Sequence, residues 1–369
     1  MIKQNKKYKI ALVGYRLSDG GLEKVMSSLS IYFGKKNIDI HNILFDDSLT
    51  YPYSGKLVNI GKMKVDSKGI LGKLKLFLFF RNYIIQNKFD YVVDFRYRVK
   101  PIQELILSKW IYNLNTIYTV HSSRLETYLP SSHLLTKLIC NKKYALVCVS
   151  QEIKSLIVAK FNIENVVTIN NPVDIEEINV KSLEQIDLES VYIIAAGRFD
   201  SQNVKQFDRL IIAYSNSILP KKNISLVLLG NGELEDFYKD SAITRGVADK
   251  VHFLGFKSNP YNYFKNALFL VLCSKYEGFP MVLIESLACE TPVVSFDCTS
   301  GPNEIIMDKK NGLLVENQNF DKLTNAMNLF VEDHVLYNQC KNNSLRSIES
   351  FSIEKIGKQW QDLMGIDIY

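Results

Sequence analysis

Short β-branched and aliphatic runs alternate with amphipathic stretches along the whole chain. KIALVG, DIHNILF, YVVDF, NTIYTV, ALVCVS and VVTIN read as strands in the first half; VYIIAAG, ISLVLLG, VHFLGF, LFLVLCS and TPVVSFD do so in the second. Aliphatic runs bounded by turns are the mark of parallel strands covered by helices on both faces. Their alternation with helical segments predicts two doubly wound α/β domains, Rossmann-like and facing each other across a cleft. The stretch 175–190 is polar and acidic without strong periodicity, and is expected to be a linker between domains at 1–174 and 191–350. After a polar break at 341–350, SIEKIGKQWQDLM predicts a last amphipathic helix within 351–369, packing back toward the first domain. No repeat, heptad array or low-complexity tract interrupts the pattern.

The length of 369 residues and a hydrophobic content of 47% fit two packed domains rather than a disordered chain. Charge divides unevenly between them. Residues 1–181 carry 27 Lys+Arg against 15 Asp+Glu, the remainder 18 against 24. A basic first half suits a phosphorylated substrate or an anionic lipid surface. Nucleic acid is the weakest of its partners, because the basic residues are dispersed and no reading module is present. The six cysteines form no pattern with zinc-ligand spacing and mostly lie in apolar runs, as reduced core thiols of a cytoplasmic protein do. IALVG is too short for a signal sequence, and no run is long enough to span a membrane.

In open parallel sheets, ligands bind beyond the carboxyl ends of the strands, so the chemistry belongs in the turns that follow them. Four such turns stand out. VGYRLSDGGLEKVM brings Gly20 and Gly21 to the start of a helix, where free N–H groups face an anion; alone, the pair reads as readily as a plain turn. AAGRFDSQNVKQF places Arg198 after a strand and Lys205 before a helix, two cations able to neutralise a diphosphate or else simply solvated. TVHSS ends a strand on His121, a structural or a functional histidine. The fourth, LCSKYEGFPMVLIESLA, follows a strand with Glu277 and fits Pro280 to the first helical position. Phe279, Met281 and Val282 then offer backbone N–H groups to an anion, and Glu285 lies within the helix. Carboxylates repel phosphate and accept from hydroxyls, so two of them flanking an anion site suit a nucleotide sugar: sugar, diphosphate, ribose.

These residues resemble a family. E-G-F-P-x-x-x-x-E, followed by SLACETPVV, is similar to the E-x7-E motif of the retaining glycosyltransferases of family 4, which have the GT-B fold. DGGLE, TVHS, AGRFD with Lys205, LVLLGNGEL, VHFLGF and SGPNEII extend the resemblance over nearly the whole chain, in the flavour of bacterial enzymes that build capsule, O-antigen or other surface polysaccharide. The resemblance implies transfer of a hexose or N-acetylhexosamine from a nucleotide sugar, UDP-linked by preference, to a lipid-linked or saccharide acceptor. It implies Arg198 and Lys205 on the diphosphate and Glu277 on the sugar hydroxyls, with Gly278, Phe279, Met281 and Val282 around it. Glu285 would hold the ribose, and Gly255, Phe256 and Lys257 would lie near the base. Gly20 and Gly21 would lie against the phosphates, and His121 near the anomeric centre. The family commonly carries Lys-Gly five residues after the arginine; here Lys205 stands seven after Arg198, and Gln206 replaces the glycine. No metal or other cofactor is implied, and Asp46-Asp47 reads as a surface turn.

On the acceptor side, residues 67–88 mix Lys68, Lys73, Lys75, Arg81 and Lys88 with LFLFF and YII. The segment suits either a helix packed on the sheet or one lying on the inner face of the cytoplasmic membrane, where a lipid-linked saccharide would be met. Arg96 and Arg98, after YVVDF, are candidates to meet an acceptor phosphate, or else surface arginines. Two other readings fit the architecture: a non-catalytic sugar-nucleotide-binding subunit of a polysaccharide assembly complex, and a sugar-nucleotide 2-epimerase. The intact Glu277, Glu285, Arg198 and Lys205 disfavour the first, and the five histidines, which form no cluster, disfavour the second.

Overall fold

The computed structural model describes residues 7–64, 69–112, 115–141, 143–188 and 190–367. The chain divides into two compact units, Met1–Pro172 with Ile353–Tyr369, and Val173–Ser352. The first is built on β1 (Lys9–Gly14), β2 (Asp39–Leu44), β3 (Lys56–Asn59), β4 (Tyr91–Asp94), β5 (Thr116–Val120), β6 (Ala145–Cys148) and β7 (Val166–Thr168). All seven pair in parallel, in the order β3-β2-β1-β4-β5-β6-β7. The helices are α1 (Gly21–Lys35), α2 (Ile60–Met63), α3 (Gly69–Asn87), α4 (Pro101–Trp110), α5 (His133–Cys140) and α6 (Gln151–Phe161). Right-handed crossovers, the rule for parallel strands, put α1 on one face of this sheet and α3 to α6 on the other. The strand order reverses between β1 and β4, the switch point at which such sheets open a ligand crevice.

The second unit repeats the plan. Its strands β8 (Tyr192–Ala196), β9 (Ser225–Leu229), β10 (Val251–Phe253), β11 (Leu270–Leu272), β12 (Val293–Phe296) and β13 (Gly312–Val315) pair in parallel in the order β10-β9-β8-β11-β12-β13. Its helices are α7 (Ile175–Ser182), α8 (Phe207–Asn216), α9 (Glu235–Thr244), α10 (Tyr261–Asn266), α11 (Met281–Ala288), α12 (Pro302–Ile305), α13 (Phe320–Glu332) and α14 (His334–Ser347). Ile193, Leu226, Val271, Val294 and Leu313 form its core with Phe207, Tyr214, Leu323 and Phe330 from the helices. The switch point here lies between β8 and β11.

A last helix, α15 (Ile353–Leu363), belongs to the first unit and packs on α1. Ile353, Ile356, Trp360, Met364 and Ile366 enter the same core as Ile10, Leu12, Leu29 and Phe33. Gly357 makes the close approach possible: a Cβ there would come within 2.4 Å of the Tyr32 ring. The Tyr32 hydroxyl and Gln361 Oε1 join at 2.9 Å across the same contact.

The two-sheet α/β architecture agrees with the sequence pattern, with local differences. Where a linker is expected over 175–190, Ile175–Ser182 form α7, capped by Asp174 and packed on α10. The polar break expected at 341–350 is largely helical, because α14 runs on to Ser347 and exposes its polar side chains. Of the basic segment 67–88, Ser67 and Lys68 lie outside the described residues, and Gly69–Asn87 form α3. Strands β3 and β13, KLVN and GLLV, are edge strands of four residues that the sequence pattern did not include.

Candidate active site

In the second unit the EGFP turn links β11 to α11. Ser274 is buried; Tyr276 then bridges to Thr299, and the Glu277 N–H donates to the Thr299 carbonyl at 2.9 Å. The Ser300 hydroxyl donates to the Gly278 carbonyl at 2.8 Å. Gly301, at φ 102°, lies against the same turn, where a Cβ would stand 2.6 Å from Pro280 Cδ. On the other side the Phe279 ring meets Phe351 at 5.3 Å. Pro280 takes the N-cap position rather than the first helical one, and α11 opens on Met281. Met281 and Val282 therefore present N–H groups without an acceptor inside the helix. Glu285, in the second turn, is buried. The Thr299–Gly301 clamp was not expected from sequence, although Gly-Pro after the strand TPVVSFD is a turn signal that marks its place.

The turn after β8 meets the turn after β11. Lys205 Nζ and Glu277 Oε1 form an ion pair of 2.6 Å, both partly buried. Two further bonds fix the loops together. The Lys275 N–H donates to the Val204 carbonyl at 2.9 Å, and Gln206 Nε2 donates to the Cys273 carbonyl at 2.8 Å. Gln206 holds a left-handed conformation, φ 53°, and caps the start of α8. Arg198 follows β8 and is exposed, with no ion-pair partner among the described residues. Beyond β10, the Gly255 carbonyl accepts from the Gly230 N–H at 2.9 Å. Phe256 is exposed, and the Lys257 ammonium lies 5.5 Å from the Tyr263 ring centre.

In the first unit, Gly20 is the N-cap of α1 and Gly21 its first residue, directly after the loop that leaves β1. The Arg16 guanidinium lies 3.6 Å from the buried Glu23 carboxylate in that first turn. His121 directly follows β5, its ring 5.8 Å from that of Phe95 and 6.4 Å from that of Tyr128. Although the residue as a whole is half-buried, both ring nitrogens are shielded from solvent and neither makes a well-formed hydrogen bond. Burial, and then the Arg98 guanidinium, push its pKa down to about 3, against a smaller opposing pull from the Asn171 side chain. The imidazole is neutral.

Arg96 and Arg98 require a correction. Both are buried, at 2% and 1% exposure, and their guanidiniums serve the interior of the first unit. Arg96 pairs with Asp94 at 2.8 Å and with Glu104 at 3.1 Å. Arg98 donates to the carbonyls of Thr119 at 2.7 Å, Tyr128 at 2.8 Å and Arg96 at 3.1 Å. The burial leaves neither guanidinium exposed toward an acceptor phosphate: Arg96 ties the end of β4 to α4, and Arg98 ties the segment after β4 to the end of β5 and to Tyr128. The sequence carried a hint in Asp94, two residues before Arg96, since a carboxylate in an apolar strand needs a partner.

Among the described residues, no group of three or more His, Cys, Asp or Glu could hold a metal ion. No helix among them is long and apolar enough to cross a membrane.

Two family descriptions divide the chain between them: Glycosyltransferase Family 4 over residues 19–177, and Glycosyl transferases group 1 over residues 177–346. The chain is 28% identical over 363 residues to a Campylobacter jejuni N-acetylgalactosamine-N,N'-diacetylbacillosaminyl-diphospho-undecaprenol 4-alpha-N-acetylgalactosaminyltransferase, covering 95% of this chain and 97% of that one. It is 24% identical to the amylovoran biosynthesis glycosyltransferase AmsD of Erwinia amylovora, over 97% of this chain and all of that one. The crystal structure of Anabaena HepE in complex with UDP shares the fold, with a TM-score of 0.77 at 16% identity over 97% of this chain and 99% of that one. With both halves matched and the two-sheet architecture shared, the chain belongs to family 4 of the glycosyltransferases, with the GT-B fold, and is by class a hexosyltransferase.

Proposed function

We propose that the enzyme transfers a hexose or N-acetylhexosamine from a UDP-sugar, with retention at the anomeric carbon, to a lipid-linked saccharide in the building of a bacterial surface polysaccharide. The observation that carries this reading is the Lys205–Glu277 pair at the start of α11, where cation, carboxylate and open helix N–H groups converge. Lys205 and the exposed Arg198 bind the diphosphate and take up charge as it leaves. Glu277 accepts from hydroxyls of the sugar, while Met281 and Val282 turn their amides to the phosphates. Glu285 holds the ribose, and the turn of Gly255, Phe256 and Lys257 faces the base. From the first unit, Gly20 and Gly21 lie against the phosphates. His121, neutral and with both ring nitrogens unsatisfied, hydrogen-bonds the transferred sugar near the anomeric centre.

The bond from the anomeric carbon to the phosphate oxygen breaks as the bond to the acceptor hydroxyl forms on the same face. The departing phosphate takes the acceptor's proton. No side chain forms a bond to the sugar; the enzyme orients the partners and stabilises the charge of the leaving group. The choice of UDP is supported by the UDP-bound HepE structure, and that of a polyprenol-linked acceptor by the name of the Campylobacter relative. Such an acceptor places the enzyme in the cytoplasm, at the inner face of the membrane.

The test is donor turnover over a panel of UDP- and GDP-sugars, with and without membrane extract, beside the Glu277→Ala variant. The expected result is nucleotide release from one UDP-sugar, raised by the extract and reduced at least about a hundredfold in the variant. Absence of both turnover and nucleotide binding overturns the reading.

A further inference from the structure

The outer layer of the first unit is apolar where water should meet it. On α4, Ile102, Ile106 and Trp110 are exposed, at 75%, 41% and 67%. They recur every fourth residue, a stripe about 12 Å long at 1.5 Å per residue. Beside α4, to which it is tied by the bond from the Ser108 hydroxyl to the Ile139 carbonyl, α5 exposes Leu134 and Leu138. On α3, Ile70, Leu71, Leu74 and Leu78 are exposed, Ile70 at 85%. Right-handed crossovers set these three helices on the same face of the sheet. Single exposed leucines are ordinary, but parallel stripes on neighbouring helices mark an interaction surface.

Charge identifies the occupant. Lys73, Lys75, Lys100 and Lys109 are exposed among these apolar residues. The three helices expose no carboxylate: their one acidic residue, Glu104, is buried against Arg96. Protein interfaces deplete lysine, whereas anionic lipid headgroups attract it at roughly 1 kcal/mol each, and tryptophan favours the headgroup region. We infer that α3, α4 and α5 form a docking face for an anionic lipid bilayer, with Trp110, Ile102 and Ile106 inserted among the headgroups and the lysines above the lipid phosphates. A helix that follows a parallel strand begins at that strand's carboxyl end. Ile70, Ile102 and Leu134 therefore lie toward the end of the sheet that carries His121. The face deepens the proposed transfer to a lipid-linked acceptor, and rests on that reading for its purpose though not for its test.

Trp110 supplies the probe, since Trp360, the other tryptophan, is buried in the core of the first unit. The full chain is titrated with vesicles of mixed phosphatidylglycerol and phosphatidylcholine, and with pure phosphatidylcholine, while emission is recorded with and without brominated lipid. Expected are a blue shift and bromine quenching with the anionic vesicles, weakened by salt and lost in Trp110→Phe. Paired Ile102→Ser and Ile106→Ser substitutions should lower partitioning at least about tenfold, and Lys73→Gln roughly fivefold. Release of nucleotide with a short-chain, water-soluble acceptor stays unchanged in these variants, so loss of docking is separable from failure of the transferase reading. Emission indifferent to anionic vesicles overturns the inference. So does a dimer, seen by light scattering, that the same serine substitutions dissolve without any effect on lipid.

Discussion

Gln206 holds a left-handed conformation at a position where the family resemblance leads one to expect glycine. Such a conformation costs a non-glycine residue on the order of 1 kcal/mol, and here the buried bond from its amide to the Cys273 carbonyl offsets that cost. Gln206→Ala keeps the strain and loses the bond, and should destabilise the second unit by about 1–3 kcal/mol. Gln206→Gly removes both and should cost less; denaturant unfolding of the two variants checks the order. His121 makes a prediction of another kind. Its folded pKa of about 3 lies below its ordinary 6.5, so between these values the unfolded chain binds the extra proton. Stability is therefore lost as the pH falls through this window, by about 2 kcal/mol at pH 5. Unfolding measured from neutral pH to about pH 5 should show a shallower loss in His121→Gln. Because the imidazole is neutral throughout that range, kcat/KM should show no ionisation limb from it.

At the scale of elements, the tie between α11 and the Thr299–Gly301 turn carries the main consequence. Gly301→Ala adds a methyl group 2.6 Å from Pro280 Cδ at a backbone angle that alanine resists. It should weaken nucleotide binding about tenfold with the fold retained, as calorimetry and circular dichroism would show. Strands and helices differ in how plainly the sequence announces them. All eleven aliphatic runs became strands, since a strand buried on both faces has few alternatives to apolar residues. Edge strand β3 and the helices α7 and α14 escaped, because half-solvated elements mix polar and apolar positions; β13, GLLV, escaped although it is largely buried. The sequence sets Arg198 and Glu277 after strands and Lys205 before a helix, and each lies there; His121, expected to end a strand, stands one residue beyond β5. The burial of Arg98 was not legible, since its partners are backbone carbonyls of β5 and of the segments around it, which no sequence pattern displays; for Arg96 only Asp94 gave a hint. The apolar stripes on α4 and α5 were equally hidden. In sequence, Ile102, Ile106 and Trp110 look like the buried face of a helix, and only the packing shows which face Leu107 has taken.

For the molecule as a whole, both tryptophans lie in the first unit, so their fluorescence follows that unit alone while circular dichroism follows both. Trp360→Ala should lower the stability of the first unit by about 3–5 kcal/mol, shifting the tryptophan-detected transition away from the far-ultraviolet one. The position of α15 also has a consequence in time. A ribosome delivers residues 1–172 first, yet the face of α1 that receives Trp360 stays open until the intervening 173–352 have been made. The second unit, continuous in sequence, can close as soon as it emerges, whereas the first must wait with Tyr32 and its neighbours uncovered. During synthesis the unit begun first is the one completed last, and its exposed α1 face is where a chaperone would be needed.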